Sequence, residues 1–269
     1  MGDTMEIMKI WDKEIPLYDE TIKNEHNEEI NTLFFFPVST QKPAPMVIIF
    51  SGGGYGFRNN TGEGIPIAEF LNTCGYHAAV VNYRVNPYHY PAPLLDAQRA
   101  IKLFRYNAEK YAIDPEKIFT LGYSAGGHLC GMTATFEDIC TAYGDAIDAM
   151  SHKPNGAIMV YPVISADDDK MHRGSFEYLL GDAYEEKANY SIEKRVNEET
   201  CPCLLFHCAG DTLVRPINSL VMTQSLMEKG ITYELHIFRD GCHGGGMKKN
   251  DPHANIWPQI AANWIANLK

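Results

Sequence analysis

The order of apolar runs along this chain predicts an α/β fold, a mostly parallel central sheet with helices on both faces. Three observations carry that expectation. The strand-like runs are continuously apolar, as in Met46-Val47-Ile48-Ile49-Phe50 and Ala157-Ile158-Met159-Val160-Tyr161, which suits strands buried on both faces. They alternate with amphipathic helical stretches. The residues suited to chemistry all follow strands, and sites in such sheets lie at the strands' carboxyl ends.

Taken in order, Leu33-Phe34-Phe35-Phe36 reads as an early antiparallel strand, followed by Met46–Phe50, which ends at Gly52-Gly53-Gly54. Ala78-Ala79-Val80-Val81 is the next strand. Leu94, Ala97, Ile101, Phe104 and Ala108 recur every three or four residues, which places one apolar stripe on a helix. Ile118-Phe119-Thr120-Leu121 is a strand, Ala125 to Thr135 a small-residue helix, and Ala157 to Tyr161 another strand. Residues 165–200 interrupt the rhythm with polar sequence, including Asp167-Asp168-Asp169 and Glu185-Glu186. It resumes with Cys203-Leu204-Leu205-Phe206 and a helix from Pro216 to about Lys229, bounded by a first-turn proline and by Gly230. Tyr233 to Phe238 is the last strand. Trp257, Ile260, Trp264 and Leu268 form the stripe of a final helix. There is no internal repeat, low-complexity tract or linker, so 1–269 reads as a single domain.

A net charge of −11 and a hydrophobic content of 45% fit a soluble protein with a sizeable core. The charge argues against a nucleic-acid surface and gives no attraction to anionic membranes. Met1 to Ile10 has no apolar signal core, and no run approaches bilayer length. The seven cysteines are scattered and odd in number, without a disulfide framework. These features lead to the expectation of a cytoplasmic protein with reduced thiols. An exposed edge strand or the 165–200 segment could support a homodimer.

The most informative stretch is Gly122-Tyr123-Ser124-Ala125-Gly126-Gly127. It is a Gly-x-Ser-x-Gly turn between a strand and a helix, the setting of the nucleophile elbow of α/β-hydrolases. Glycines on both sides remove Cβ atoms that would clash in so tight a turn, leaving the Ser124 hydroxyl exposed at the sheet end. A serine hydroxyl is a weak nucleophile unless a base is in reach and an acid orients that base. In this fold the chain order is Ser, acid, His. Asp211, in His207-Cys208-Ala209-Gly210-Asp211, and His243, in Asp240-Gly241-Cys242-His243-Gly244, each follow a strand and meet that order. Asp240 is a rival acid, too close to His243 in the chain to be preferred. Ser51-Gly52-Gly53-Gly54-Tyr55 can aim bare backbone N–H groups at an oxyanion, with the Ala125 N–H as the second donor. His128 reads as a packing or capping residue and His207 as a satisfied core residue. Cys203, His207 and Cys208 cannot converge on one metal, because adjacent strand residues face opposite ways.

With these residues in hand, the chain resembles the α/β-hydrolase esterases related to hormone-sensitive lipase, and most of all the small bacterial carbohydrate (acetyl-xylan-type) esterases. The likeness covers nearly the whole chain. It is carried by Ser51–Tyr55, Asn82-Tyr83-Arg84, Tyr90 to Ala100, Ile113 to Ile118, the Ser124 elbow, Ala209 to Val214 and His243-Gly244. The resemblance implies Ser124 as nucleophile, Asp211 as acid, His243 as base, and Gly53, Gly54 and Ala125 as oxyanion donors. It also implies that 165–200 is a partial cap over the site. Two departures stand out. Ser51 occupies the place where many relatives have histidine, and Gly245-Gly246 follow His243-Gly244 where relatives often carry an aromatic.

The expected activity is that of a serine carboxylesterase acting on short acyl esters, foremost O-acetyl groups on sugars or oligosaccharides, through an acyl-enzyme and with no metal or organic cofactor. Tyr55, Phe57, Tyr123 and His89 are candidates for the pocket wall, with core packing as the alternative for each. The rival readings are a serine peptidase, which usually carries a propeller domain for which this chain has no room, a small-molecule amidase, and a non-catalytic binding protein.

Overall fold

The computed structural model describes residues 5–141, 144–244 and 254–268. Among these residues, eight strands form one sheet: β1 (Glu6–Lys9), β2 (Thr32–Phe36), β3 (Ala44–Phe50), β4 (His77–Val81), β5 (Ile113–Tyr123), β6 (Gly156–Val160), β7 (Cys203–Cys208) and β8 (Tyr233–Phe238). Their spatial order is β1-β2-β4-β3-β5-β6-β7-β8. β2 runs antiparallel to β1 and β4, and the other neighbours pair in parallel. Strand β5, which leads into Ser124, thus lies between β3, which leads to the glycine loop, and β6.

Among the described residues, seven α-helices accompany the sheet: α1 (Ile65–Thr73), α2 (Ala92–Tyr106), α3 (Ala108–Tyr111), α4 (Ala125–Thr135), α5 (Arg173–Leu180), α6 (Ile217–Glu228) and α7 (Trp257–Asn267). The two faces of β3 show how the core divides. Met46, Ile48 and Phe50 pack in the cluster that holds α2, α4 and α6 through Leu94, Ile101, Leu129 and Met222. Val47 and Ile49 pack in the other cluster, with Ile67 and Leu71 of α1 and Trp257 and Ile265 of α7. Burial on both faces is why these strands are apolar at every position. Among the described residues no helix is long and apolar enough to cross a membrane.

Helix α2 carries buried charge as well as its apolar stripe. Asp96 binds the Arg84 guanidinium at 2.8 and 2.9 Å and accepts from the Trp11 indole at 2.9 Å. This arrangement ties the loop after β4 to the helix. Removing one partner of such a buried pair would strand the other without solvent. The Asn82-Tyr83-Arg84 and Asp96 positions noted in the sequence therefore fasten the loops beneath the site.

Four elements, β1, α1, α3 and α5, have no counterpart in the sequence pattern. β1 is four residues long at the sheet edge, too short and too exposed to leave a pattern. α1 follows a single π-helical turn, Asn60–Gly64, with Pro66 in its first turn. Asp211 consequently follows the seventh strand rather than the sixth. Between β6 and β7, the interrupting segment contains α5 and the 3₁₀ turns Gly181–Tyr190 and Ile192–Lys194.

Candidate active site

Ser124 sits between β5 and α4 with φ 52° and ψ −117°, a conformation uncommon outside glycine. Its backbone is pinned: the Ser124 N–H donates to Val160 O at 3.0 Å, and its carbonyl accepts from Val163 N at 3.0 Å. The flanking glycines are a steric requirement. A Cβ on Gly122 would lie 2.0 Å from Gly126 O, and one on Gly126 would lie 2.1 Å from Phe50 O. The elbow therefore presses directly against the end of β3, where the glycine loop begins.

His243 Nε2 lies 2.8 Å from Ser124 Oγ, and His243 Nδ1 lies 2.7 Å from Asp211 Oδ2. The other Asp211 oxygen, Oδ1, accepts from the N–H groups of Leu213 and Val214, both at 3.0 Å. With a carboxylate facing Nδ1, the imidazole proton resides there. Nε2 is left as the acceptor for the Ser124 hydroxyl. Burial alone would raise the Asp211 pKa. Hydrogen bonds from His207 and His243 and from the Val214 N–H outweigh it and hold the carboxyl below the usual carboxylate range.

His207 is a buried core residue, as expected, but it also abuts Asp211. Its Nε2 lies 2.8 Å from Val214 O and 3.5 Å from Asp211 Oδ2, and its Nδ1 lies 2.8 Å from Ser219 Oγ. His128 is likewise interior. Its ring meets the Tyr55 hydroxyl at 2.9 Å and Tyr190 O at 2.8 Å, and burial pushes its pKa down to about 4.

The glycine loop is folded so that its donors turn one way. Gly52 O accepts from Asn59 N at 2.9 Å, and Gly53 O accepts from Gly56 N and Phe57 N at 2.9 and 3.2 Å. In a planar trans peptide the N–H points opposite its carbonyl. Anchoring those two carbonyls thus directs the Gly53 and Gly54 N–H groups away from the anchoring turn. Gly53 has φ 139°, and a Cβ there would lie 2.1 Å from Phe57 O, so only glycine fits. The Gly53, Gly54 and Ala125 N–H groups have no hydrogen-bond partner among the described residues.

Of the four candidates for the pocket wall, Phe57 is 48% exposed beside the glycine loop, and Tyr123 borders a cavity of about 800 Å³ next to Gly244. Among its described residues that cavity also shows Glu63, Phe70, Tyr161 and Trp257. Tyr55 must be corrected: it is 1% exposed, with its hydroxyl on His128 and its ring against Tyr83, because the left-handed turn at Tyr55 (φ 62°) sends the side chain inward. His89 must be corrected too. Its Nδ1 lies 2.8 Å from Tyr178 O and its ring fills the space beside Gly181, so it fastens the end of α5. Gly245-Gly246 lie outside the described residues.

Three residues at the site went unnoticed in the sequence. Glu63 accepts from Gly52 N at 2.6 Å and from the Tyr161 hydroxyl at 3.0 Å. Burial raises its pKa, against hydrogen bonds from Gly52, Tyr161 and Asn59 that lower it. Tyr161 places its ring edge-on to His243, with centroids 4.8 Å apart. His172, just before α5, lies about 4.0 Å from where a Cβ on Gly54 would sit, and its Nδ1 meets Ser175 Oγ at 2.8 Å. A sequence signal existed only for Tyr161, the last residue of an apolar run at a strand's carboxyl end.

Residues 34–226 match the model of the BD-FAE family. The chain is 33% identical over 235 residues to endo-1,4-beta-xylanase B of Butyrivibrio fibrisolvens, covering 82% of this chain and 36% of that protein. It is 28% identical over 223 residues to the acetylxylan esterase of Xylanibacter ruminicola, covering 81% of this chain and 44% of that protein. The chain thus spans less than half the length of these two curated relatives. Among solved structures, the acetyl ester-xyloside bifunctional hydrolase of Caldicellulosiruptor lactoaceticus superposes with a TM-score of 0.90 at 35% identity, covering 97% of this chain and 95% of that one. The matched span includes the glycine loop, the Ser124 elbow and Asp211, and with this likeness over nearly the full chain it shows that the protein belongs to the BD-FAE family of α/β-hydrolases.

Proposed function

We propose that this protein is a serine carboxylesterase that removes short acyl groups, foremost O-acetyl groups on sugars or oligosaccharides of the xylan type. The observation that carries the reading is the continuous chain from Asp211 Oδ2 through His243 to Ser124 Oγ, at 2.7 and 2.8 Å. The relatives named as acetylxylan esterase and acetyl ester-xyloside hydrolase support the ester and the sugar.

In this reading Ser124 Oγ attacks the acyl carbonyl while its proton passes to His243 Nε2. Asp211 holds the resulting imidazolium, and the N–H groups of Gly53, Gly54 and Ala125 receive the oxyanion. His243 then returns the proton to the departing alcohol. Water activated by the same imidazole hydrolyses the acyl-serine and regenerates the Ser124 hydroxyl. The α5 segment, with His172 beside Gly54 and Tyr178 beside Gly56, serves as a partial roof on the alcohol side.

The test is hydrolysis of p-nitrophenyl esters of increasing acyl length and of acetylated xylo-oligosaccharides, with Ser124→Ala alongside. The expected result is highest turnover on acetate, retained on the sugar ester, and a loss of about 10,000-fold or more in the variant. Serine-dependent activity on anilides or peptides but not on esters would replace the esterase reading with an amidase or peptidase one.

A further inference from the structure

We propose that Glu63 is a positioning residue for this reaction: its carboxylate holds the glycine loop at Gly52 and, through the Tyr161 hydroxyl, the aromatic wall beside His243. The inference rests on the esterase reading above and adds to it a residue whose carboxylate bonds Gly52 N and the Tyr161 hydroxyl rather than His243 or Ser124 Oγ.

The geometry is specific. Glu63 stands on the π-helical turn Asn60–Gly64, immediately after the glycine loop; such turns recur at functional sites because they redirect one side chain. One oxygen, Oε2, accepts from Gly52 N at 2.6 Å, shorter than an ordinary N–H···O bond. The other, Oε1, accepts from Tyr161 at 3.0 Å. A single carboxylate therefore joins the loop after β3 to the residue after β6, on either side of the nucleophile strand.

What Glu63 fixes matters for catalysis because of its neighbours. The peptide between Ser51 and Gly52 is held at both ends, its carbonyl by the Tyr83 hydroxyl at 2.6 Å and its N–H by Glu63. The following peptide carries the Gly53 N–H. Its direction depends on where Gly52 lies and on the bond from Asn59 N to Gly52 O. Gly52 has little room to shift toward the elbow, since a Cβ there would be 3.1 Å from Ser124 Cβ. Glu63 Oε2 borders the same space, 3.0 Å from that Cβ position, so losing Glu63 removes one of the contacts that hold Gly52 in place. Approach of the Glu63 turn is possible because residue 51 is small: a Cβ on Gly64 would already lie 2.6 Å from Ser51 Oγ. At the other end, Tyr161 is held with φ 38° and its ring 4.8 Å from that of His243. A half-buried carboxylate costs desolvation that a purely structural contact between apolar side chains would avoid. Two directed hydrogen bonds into opposite walls of the site give that charge a purpose.

The experiment compares wild type, Glu63→Ala, Glu63→Gln, Tyr161→Phe and the Glu63→Ala/Tyr161→Phe double variant. The readouts are steady-state hydrolysis of p-nitrophenyl acetate and labelling of Ser124 by a fluorophosphonate, with melting temperature recorded for each protein. Glu63→Ala is expected to lower kcat about 10- to 100-fold with KM within about threefold, since oxyanion donors act mainly in the transition state. Its labelling rate should fall in parallel. Glu63→Gln keeps an acceptor for Gly52 N–H and should recover most of the loss. Tyr161→Phe keeps the ring and removes one donor, for an expected drop of about two- to tenfold, and the double variant should be no worse than Glu63→Ala alone. If Glu63→Ala does not fold, Tyr161→Phe decides: wild-type kcat and labelling rate in that variant overturn the proposal. A folded Glu63→Ala within twofold of wild type overturns the proposal. A wild-type protein with neither Ser124-dependent turnover nor labelling removes the esterase reading and this proposal together.

Discussion

Replacing Asp211 with asparagine isolates the tautomer that the site imposes on His243. The two oxygens of Asp211 are not equivalent. Oδ1 accepts from the N–H groups of Leu213 and Val214 at 3.0 Å each, whereas Oδ2 faces His243 Nδ1 at 2.7 Å. An asparagine must keep its one oxygen on the pair of backbone donors, because turning its amide nitrogen toward them would set donors against donors at a buried position. Its NH2 group then faces Nδ1, which becomes an acceptor. The imidazole proton moves to Nε2 and points at Ser124 Oγ, so the base can no longer take the hydroxyl proton. The side-chain volume is unchanged, and the loss is purely one of protonation geometry. The expected fall in kcat is about 10,000-fold, or about 5 kcal/mol of transition-state stabilisation. The assay is kcat for p-nitrophenyl acetate at pH 8, with near-UV circular dichroism to verify the fold and nitrogen-15 shifts of His243 to read the tautomer. A folded Asp211→Asn protein that keeps more than a tenth of wild-type kcat would refute the argument.

Two further outcomes follow from packing and titration. Gly126→Ala sets a Cβ 2.1 Å from Phe50 O and should lower unfolding free energy by at least about 2 kcal/mol in urea titrations; a change under 1 kcal/mol would mean that the elbow can yield where the structure leaves no space. His128, ordinarily near 6.5 but held at about 4 by burial, binds its proton in the unfolded chain first. Stability therefore falls as pH drops from about 6.5 toward 4, by about 2–3 kcal/mol at pH 4.5. His77, His152 and His172 are also lowered by burial, so the diagnostic is the difference between wild type and His128→Gln. Equal pH slopes in the two proteins would discard the assignment.

What the sequence could disclose follows from how local each constraint is. The Ser124 elbow is legible because its steric demand falls on residues two positions away, at Gly122 and Gly126. Asp211 and His243 are legible because strand ends in a parallel sheet gather at one edge, so position along the chain stands in for position in space. α4 appears with the expected bounds for the same reason: its first residue is set by the turn. The link between Glu63 and Tyr161 could not be read in this way. They are 98 residues apart, and only the pairing of β3, β5 and β6 brings them together. The misplacement of Tyr55 and His89 has a related cause. An aromatic beside a glycine loop can face the cleft or the core, and the choice depends on backbone dihedrals and on His128 and α5, which no short motif encodes. β1 escaped because its edge position demands little apolar character.

The contact between α5 and the glycine loop bears on how specificity can be changed in this protein. Tyr178 bears on Gly56, Ser175 and His172 lie beside Gly54, and Phe176 packs 5.3 Å from the His128 ring that receives the Tyr55 hydroxyl. The segment is thus keyed to the backbone of the glycine loop, where the proposed oxyanion donors lie. A graft of this segment from another family member would arrive with the wrong key unless positions 54–57, 89 and 128 travelled with it. Libraries that vary the segment alone should lose turnover before they gain new substrates, whereas libraries that vary it together with those positions explore combinations in which the rate-determining geometry survives.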